Sequence, residues 1–234
     1  MSIKFTALTS ATGSLGSEKT SAYGQLKALL INDRFVPGEQ LRVADLAKRL
    51  SISTTPIREA LNRLHAEGFL VLHHHRGFFA KALSLREMTD LYEFGYALLK
   101  YAVEKISDAP SAALAPAIDT LIEKVAGIPH GSEEDVPRCA TEIEQVLEKL
   151  MSLTHNDVML AHFHNFHERT HYVRVMQLQR PKQMPKRLRD LRVLMETIKR
   201  RELGPAIVIL DKHWKWKIDS LPDLVKDAIS RHYA

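Results

Sequence analysis

The sequence of 234 residues has little of several features that would assign it to a specialised class of protein. Its single cysteine, Cys139, cannot form an internal disulfide, which is typical of a protein in the reducing cytoplasm. No run of about 18 or more apolar residues occurs, so we expect no transmembrane helix. The first residues lack the apolar core of a signal peptide, and we interpret residues 1–17 as a flexible tail. The composition, 45% hydrophobic and 26% charged, is that of an ordinary globular protein.

The net charge of +5 is distributed unevenly along the chain. Residues 1–80 carry ten Lys and Arg against six Asp and Glu, which amounts to +4, and the remaining residues contribute +1. A basic excess concentrated in one third of the chain favours a polyanionic partner for that end of the protein.

Residues 18–82 show the pattern of three short helices followed by two short strands. The stretches "SAYGQLKALLINDRF" and "VADLAKRL" have helical periodicity. We expect the third helix to begin at Pro56, with Thr55 as its cap, and to end at Gly68. The stretches "FLVL" and "GFFAK" then predict two strands around "HHHR". This order is the layout of a winged helix-turn-helix, in which the third helix is free to enter a major groove of DNA.

Polar side chains on the exposed face of the third helix predict contacts with DNA. Arg58 and Asn62 lie opposite the apolar stripe, one helical turn apart, and both can bond to base edges or phosphates. Ser53, Thr54 and Thr55 supply hydroxyl and N–H groups at the start of the helix, where the helix dipole favours a phosphate.

The tip of the predicted wing contains three histidines followed by Arg76 and Gly77. We expect Arg76 to reach an adjacent minor groove and Gly77 to permit the close approach. Consecutive residues at a hairpin tip alternate between faces and cannot converge on one ion, so we interpret His73–His75 as wing residues near DNA and not as metal ligands.

The stretch "PGEQLRVADLAKRLSISTTPIREALNRLHAEGFLVLHHHRGFFAK" resembles the DNA-binding domain of GntR-type bacterial transcription regulators. The shared pattern is PG-x-x-L, then L-A-x-x-L-x-V-S-x-x-P-V-R-E-A-L-x-R-L-x-x-x-G, then a wing that ends in R-G. The resemblance implies that Ser53, Thr54, Thr55, Arg58 and Gly77 contact operator DNA, with Arg42 as a phosphate contact. Thr54 stands where Arg is common, so we expect the operator sequence to differ from the family norm.

From residue 83 to residue 234 the periodicity is helical throughout and predicts about six helices. This part opens with "LYEFGYALL" and resembles the FadR C-terminal (FCD) branch of the same family. The resemblance implies an all-α antiparallel helical bundle that dimerises and encloses a small-molecule pocket. The expected fold class of the chain is therefore mainly α, with a winged helix-turn-helix followed by the bundle.

Many FCD domains hold a metal ion with an Asp-x-x-x-His pair and two further histidines. When Asn156 and Glu202 are aligned with the corresponding residues of FCD domains, Ile143, Leu147 and Leu191 stand at three of these positions and only His213 is retained. Aliphatic side chains cannot bind a cation, so we expect no metal at these positions and no certain cofactor. Gly95 stands where an Arg is common. These replacements predict a less polar effector pocket than usual, or no effector at all.

Histidines are concentrated in another segment of the helical part. His164, His167 and His171 share one face of a predicted helix, and together with His213 they are our candidates for the effector pocket. Two alternatives stay open. Two of these residues and His213 form a replacement metal site, or the rings bond to carbonyl groups or water. No Asp or Glu completes a metal-binding set, since Glu168 is expected on a different face.

These observations predict a cytoplasmic, homodimeric and sequence-specific DNA-binding transcription regulator. The resemblance implies repression. The expected partners are double-stranded operator DNA and a small-molecule effector, an organic acid or an aromatic compound, with no membrane. The alternatives are a metal-responsive regulator that uses the histidines and an effector-free dimeric DNA binder. No nucleophile–base pair and no paired carboxylates stand out, so an enzyme is not expected. We interpret the basic stretch "RPKQMPKRLRDLR" as a solvated face between helices.

Overall fold

The computed structural model describes residues 21–32, 35–108 and 111–233, and the predicted tail, residues 1–17, lies outside them. The chain divides into two compact units, Met1–Ala82 and Leu83–Ala234, each built around its own hydrophobic core. The predicted fold class, mainly α with a winged helix-turn-helix followed by a helical bundle, is confirmed. No helix among the described residues is long and apolar enough to cross a membrane.

The N-terminal unit consists of three helices and an antiparallel two-stranded sheet. Its elements are α1 (Ala22–Ile31), α2 (Val43–Leu50), α3 (Thr54–Ala66), β1 (Leu70–His73) and β2 (Gly77–Ala80). Leu70 pairs with Ala80 and His73 with Gly77 in the sheet. Leu26 of α1 and Ile57, Leu61 and Leu64 of α3 are completely buried, so the apolar stripes of these two helices form the core of the unit.

The third helix begins two residues earlier than the position of Pro56 predicted. Ser53, and not Thr55, is the N-cap residue, and Pro56 is the third residue of α3. The first four N–H groups of a helix have no partner within the helix, so a proline at the third position costs no hydrogen bond. Pro56 therefore fits inside the first turn and does not mark its start.

The C-terminal unit is helical throughout its described residues. Its elements are α4 (Leu85–Asp108), α5 (Ser111–Ala126), a 3-10 turn (Glu133–Asp135), α6 (Val136–Ser152), α7 (Asp157–Gln179), α8 (Gln183–Lys199), α9 (Leu203–Asp219) and α10 (Leu221–Tyr233). The last predicted helix is divided at Ser220, so these residues form seven α-helices and not six. Pro222 has no N–H and its ring clashes with the preceding turn of a continuous helix, which accounts for the break.

Aromatic side chains from three helices pack together in the core of the C-terminal unit. Tyr92 of α4, Phe166 of α7 and Trp214 of α9 are buried, and the ring centroids of Tyr92 and Phe166 lie 5.7 Å apart. The indole N–H of Trp214 donates to the carbonyl of Tyr92 at 2.5 Å. Gly95 allows this packing, because a Cβ at that position would lie 2.6 Å from the ring of Phe166.

Candidate nucleic-acid interface and buried cavity

The N-terminus of α3 is open to solvent. Ser53, Thr54 and Thr55 are exposed, and the hydroxyl of Ser53 makes no capping hydrogen bond, so it leaves the first N–H groups of the helix open. Arg58 and Asn62 are also exposed and lie on the face opposite the buried stripe. The structure thus brings these five predicted contact residues onto one accessible surface, where the helix dipole favours an anion.

Gln40 links two further predicted contact residues, Arg42 and Arg76, although no sequence pattern singles it out. Its side-chain N–H donates to the carbonyl of Arg76 at 2.6 Å, and its oxygen accepts from Nε of Arg42 at 3.2 Å. Arg42 caps the start of α2 and Arg76 lies at the wing tip, and both side chains are exposed. One glutamine therefore links the start of α2 to the wing tip.

The wing tip has a backbone that requires Gly77. Gly77 has a φ of +87°, in the left-handed region, and His75 has a φ of +60°. The N–H of Arg76 donates to the carbonyl of His73 at 3.0 Å, which closes the turn. The ring of His73 packs on Phe79, with centroids 4.8 Å apart. The histidines thus shape the tip, and the guanidinium of Arg76 lies 5.3 Å from the centroid of the Phe79 ring.

The C-terminal unit contains a cavity with an empty volume of about 570 Å³. Ile143, Leu147, Leu191 and His213 all line it, and these are the four positions where the FCD pattern places metal ligands. Three aliphatic side chains therefore occupy the wall where that pattern has ligating groups. Trp214 and Trp216 complete part of the lining.

Three of the four histidines proposed for a pocket do not line this cavity. His164 and His167 each place Nδ1 near Oε1 of Glu148, at 3.0 and 2.9 Å, and His171 lies 2.9 Å from Glu144. Both glutamates belong to α6, which packs antiparallel to α7 and brings residues far apart in sequence together.

The expectation that Glu168 lies on a different face from the histidines was wrong, and Glu144 and Glu148 of α6 supply carboxylates that the sequence did not indicate. Glu168 also contacts His164, with Nε2 and Oε1 3.2 Å apart. Among the described residues, no group of three or more His, Cys, Asp or Glu side chains is arranged to hold a metal ion. A carboxylate instead contacts each of the rings of His164, His167 and His171.

Burial separates the pKa values of the two histidines that share the carboxylate of Glu148. Hydrogen bonds to Glu148 and Glu168 raise the pKa of the half-exposed His164 to about 10. Burial lowers the pKa of His167 to about 4, in spite of its bond to Glu148. Burial opposes ionisation of Glu148, but the hydrogen bonds from His164 and His167 outweigh it and lower the pKa of that carboxyl to about 2. At neutral pH the network is a charged His164–Glu148 pair beside a neutral His167.

Basic side chains line part of the cavity, which the sequence did not indicate. Arg174 of α7, Arg187 of α8 and Lys217 of α9 are all buried. Arg187 belongs to the stretch that was interpreted as a solvated face, yet it is only 5% exposed. Arg174 pairs with Glu144, and Arg187 lies 3.2 Å from Asp190.

His213 lies among these cations. Nη1 of Arg187 donates to its Nδ1 at 3.3 Å. Burial lowers the pKa of His213 well below its ordinary value, and the nearby charges of Lys217, Arg187 and Arg174 lower it further. His213 is therefore a neutral hydrogen-bonding group in a positively charged setting.

Comparison with known proteins first concerns the N-terminal unit. Residues 18–80 match the family described as "Bacterial regulatory proteins, gntR family". This range covers all three helices of the unit and both strands.

Two relatives match over most of the chain. The Nta operon transcriptional regulator of Aminobacter aminovorans is 27% identical over 210 residues, which are 88% of this chain and 95% of the relative. The HTH-type transcriptional regulator YdhC of Bacillus subtilis (strain 168) is 26% identical over 209 residues, with 88% and 91% covered. Both names describe regulators of transcription, in agreement with the prediction that the chain is not an enzyme.

A solved structure supports the fold. The crystal structure of a transcriptional regulator GntR from Rhodococcus sp. RHA1 matches with a TM-score of 0.66 at 18% identity, over 88% of this chain and 98% of that chain. At this level of identity the likeness extends to the arrangement of the elements and not to the chemistry of any site.

Proposed function

The chain is a DNA-binding transcriptional regulator of the gntR family, and from that premise we propose that it acts in the cytoplasm as a homodimeric repressor. In this proposal each N-terminal unit binds one half of a pseudo-palindromic operator. A small molecule in the C-terminal unit modulates the affinity for the operator. The C-terminal unit is assigned to the FCD type.

The open N-terminus of α3 is the observation that carries the proposal. Its N–H groups and the hydroxyls of Ser53–Thr55 are suited to a phosphate, and Arg58 and Asn62 project from the same exposed side to reach base edges. Arg42 and Arg76 supply further exposed positive charge on the same unit. Thr54 in place of the more common Arg removes one guanidinium, so base preference rests more heavily on Arg58.

An exposed apolar strip on the C-terminal unit supports the homodimer. Phe94 and Tyr101 lie two turns apart on α4 and are 42% and 45% exposed, and Val158 of α7 is 70% exposed. The rings of Phe94 and His162 lie 6.2 Å apart, so the strips on α4 and α7 adjoin. Exposed apolar side chains on two adjacent helices are suited to burial against the same residues of a second copy.

The cavity supports modulation by a small molecule. Its lining is mostly apolar with a few polar side chains, which is typical of ligand sites in proteins. A bound molecule changes operator affinity only if it binds the DNA-competent and DNA-incompetent states with different affinity. In a repressor, the effector binds the incompetent state more tightly. The metal-responsive alternative gains no support from the histidines, because each ring already bonds to a carboxylate.

The proposal is tested by footprinting on the DNA upstream of the operon that contains the gene, with the affinity measured in parallel against random duplex at the same salt concentration. We expect two protected half-sites whose centres are separated by about one helical turn, or a multiple of it, related by two-fold symmetry. Affinity equal to that for random DNA, or protection without two-fold symmetry, would contradict the proposal. Light scattering of the protein without DNA checks the dimer separately.

A further inference from the structure

The segment that precedes α2 runs along the outer edge of the wing. The backbone N–H of Leu41 donates to the carbonyl of Phe78 at 2.8 Å, and Gln40 forms an antiparallel bridge with Phe79 of β2. Leu41 is buried in the core of the N-terminal unit, whereas Gln40 is exposed. The backbone of Gln40 is therefore fixed against β2, while its side chain is free to serve another purpose.

The side-chain amide of Gln40 has a partner at each end. Its N–H donates to the carbonyl of Arg76, and its oxygen accepts from Nε of Arg42. A glutamine amide carries its donors on the nitrogen and its acceptor on the oxygen, so these two partners together select one orientation of the group. One side chain thus joins the start of α2 to the tip of the wing.

The bond to Gln40 restrains a part of the wing that is otherwise an exposed turn. His73, His75 and Arg76 are exposed, and the N–H of Arg76 closes the turn on the carbonyl of His73 at 3.0 Å. A two-stranded hairpin is only marginally stable by itself. The contact with Gln40, which lies 36 residues before Arg76, limits how far the tip can move relative to α2.

The same amide orients the guanidinium of Arg42. The N–H donors of arginine form a rigid planar fork, so a bond at Nε sets the direction in which Nη1 and Nη2 point. No carboxylate of the described residues forms an ion pair with Arg42. Its two terminal nitrogens are therefore available to an anion such as a DNA phosphate.

We propose that Gln40 is a positioning residue of the DNA interface, which holds the wing tip and the guanidinium of Arg42 in one arrangement before DNA is bound. This inference rests on the proposed function, in which Arg42 binds a phosphate and Arg76 reaches the minor groove. Ordering loops and side chains during binding costs free energy, so an interface that is already ordered binds more tightly. Gln40 acts through the two arginines and does not itself contact DNA.

Gln40→Met and the control Gln145→Met test the effect on operator affinity. Methionine keeps the length of the side chain and removes both hydrogen-bonding ends. Gln145 of α6 is also exposed and accepts from Nζ of Lys124 at 2.8 Å, so its replacement removes a hydrogen bond to a cation in the other unit. We expect Gln40→Met to weaken operator binding about tenfold, since two hydrogen bonds are lost, and Gln145→Met to leave it unchanged.

A background that lacks both arginines distinguishes positioning from direct contact. In Arg42→Met/Arg76→Met protein, Gln40 has little left to position, so adding Gln40→Met should weaken binding less than about twofold. A residue that contacted DNA itself, or that only maintained the stability of the unit, would retain its full effect in this background. All proteins are compared at one low salt concentration, at which the weakened variants still bind.

The link also has a readout that needs no DNA. NMR relaxation of the backbone amides in full-length protein measures the mobility of the wing tip on the ps–ns timescale. We expect the amides of His75 and Arg76 to be more mobile in Gln40→Met than in the parent or in Gln145→Met. Gln40→Glu should mobilise them too, because its carboxylate can still accept from Arg42 but has no N–H for the carbonyl of Arg76.

The inference is overturned if the wing tip of Gln40→Met is as ordered as that of the parent, if Gln40→Met binds the operator as tightly as the parent, or if its full effect persists without the two arginines. The relaxation measurement decides whether Gln40 holds the wing even if no operator is found. Failure of the parent to protect an operator would count against the proposed function and would leave that measurement intact.

Discussion

The two units of the protein place their positive charge in opposite environments. Arg42, Arg58 and Arg76 of the N-terminal unit are exposed, whereas Arg174, Arg187 and Lys217 of the C-terminal unit are buried. Exposed cations retain their hydration and suit a large polyanion whose binding weakens with salt. Buried cations have lost that hydration and require a specific counter-charge. The exposed arginines therefore suit a charged surface, whereas the buried arginines depend on the carboxylates of Glu144 and Asp190.

The largest effect is expected from a substitution that creates a cavity in the core of only one unit, because it tests whether the two units unfold independently. Leu61 is fully buried in the N-terminal unit, and the two cores have no residue in common. We expect Leu61→Ala to reduce the stability of this unit by about 2–5 kcal/mol and to reduce operator affinity. The urea transition followed by tryptophan emission should remain near that of the parent, since both tryptophans lie in the other unit. If the tryptophan-detected transition shifted as far as the stability of the N-terminal unit, the two units would unfold together.

A second prediction concerns the close packing of the C-terminal unit. Gly95→Ala should destabilise it by about 1–3 kcal/mol, although alanine is the better helix former, because the new methyl group overlaps the buried Phe166 ring. Gly204→Ala is the matched control in α9, where no atom lies within 4 Å of the added Cβ. Urea unfolding of both variants measures the difference. A stabilised Gly95→Ala protein would mean that the Phe166 ring moves aside easily.

The third prediction tests the exposed cations. Arg58→Ala should weaken binding to the operator by about 1–3 kcal/mol and relax base preference at one position of each half-site. Arg138→Ala removes the same charge from an exposed position of the C-terminal unit and should leave the affinity unchanged. Fluorescence anisotropy against the operator and single-base variants measures both effects. If Arg58→Ala weakens binding to every sequence equally, Arg58 contacts a phosphate and not a base.

The smallest expected effect comes from the histidine network and depends on pH. His164 has a pKa of about 10 in the folded protein against an ordinary value of 6.5, so the folded state holds its proton more tightly. The resulting stabilisation is complete below pH 6.5 and is lost as the pH rises through about 10. His167 has the opposite sign: its pKa of about 4 means that stability falls as the pH decreases from 6.5 towards 4.

His164→Gln should therefore flatten the alkaline side of the stability profile, measured by urea unfolding across that pH range. His162→Gln, a change at an exposed position of the same helix, serves as the control. A profile of His164→Gln that still declines like the parent's would assign the alkaline slope to other groups.

The N-terminal unit was predictable because its signals are local. The spacing of apolar residues, Gly68 after α3 and the pattern of the wing specify elements that follow one another within a few residues. The start of α3 was misplaced because a proline is tolerated anywhere in the first turn, so Pro56 alone does not fix the boundary. The role of Gln40 could not be predicted, since its partner Arg76 lies 36 residues away.

The chemistry of the C-terminal unit was less predictable because it depends on contacts between helices. Glu144 and Glu148 meet the histidines only when α6 packs on α7. The basic stretch that contains Arg187 was interpreted as solvated and Lys217 was not singled out, yet a signal for the burial of Lys217 was present. Lys217 continues the buried spacing of Leu210 and Trp214. A charged residue at a position that periodicity assigns to the core is therefore evidence for a buried polar site.

The break between α9 and α10 at Ser220 affects the order in which the chain can fold during synthesis. Helix α10 follows this break, yet it supplies Leu221, Leu224 and Val225 to the core of the C-terminal unit. Ser220 itself accepts a hydrogen bond from Gln177. That core cannot close until these residues have left the ribosome. The N-terminal core is complete at Ala80. During translation the N-terminal unit can therefore fold well before the C-terminal unit is complete.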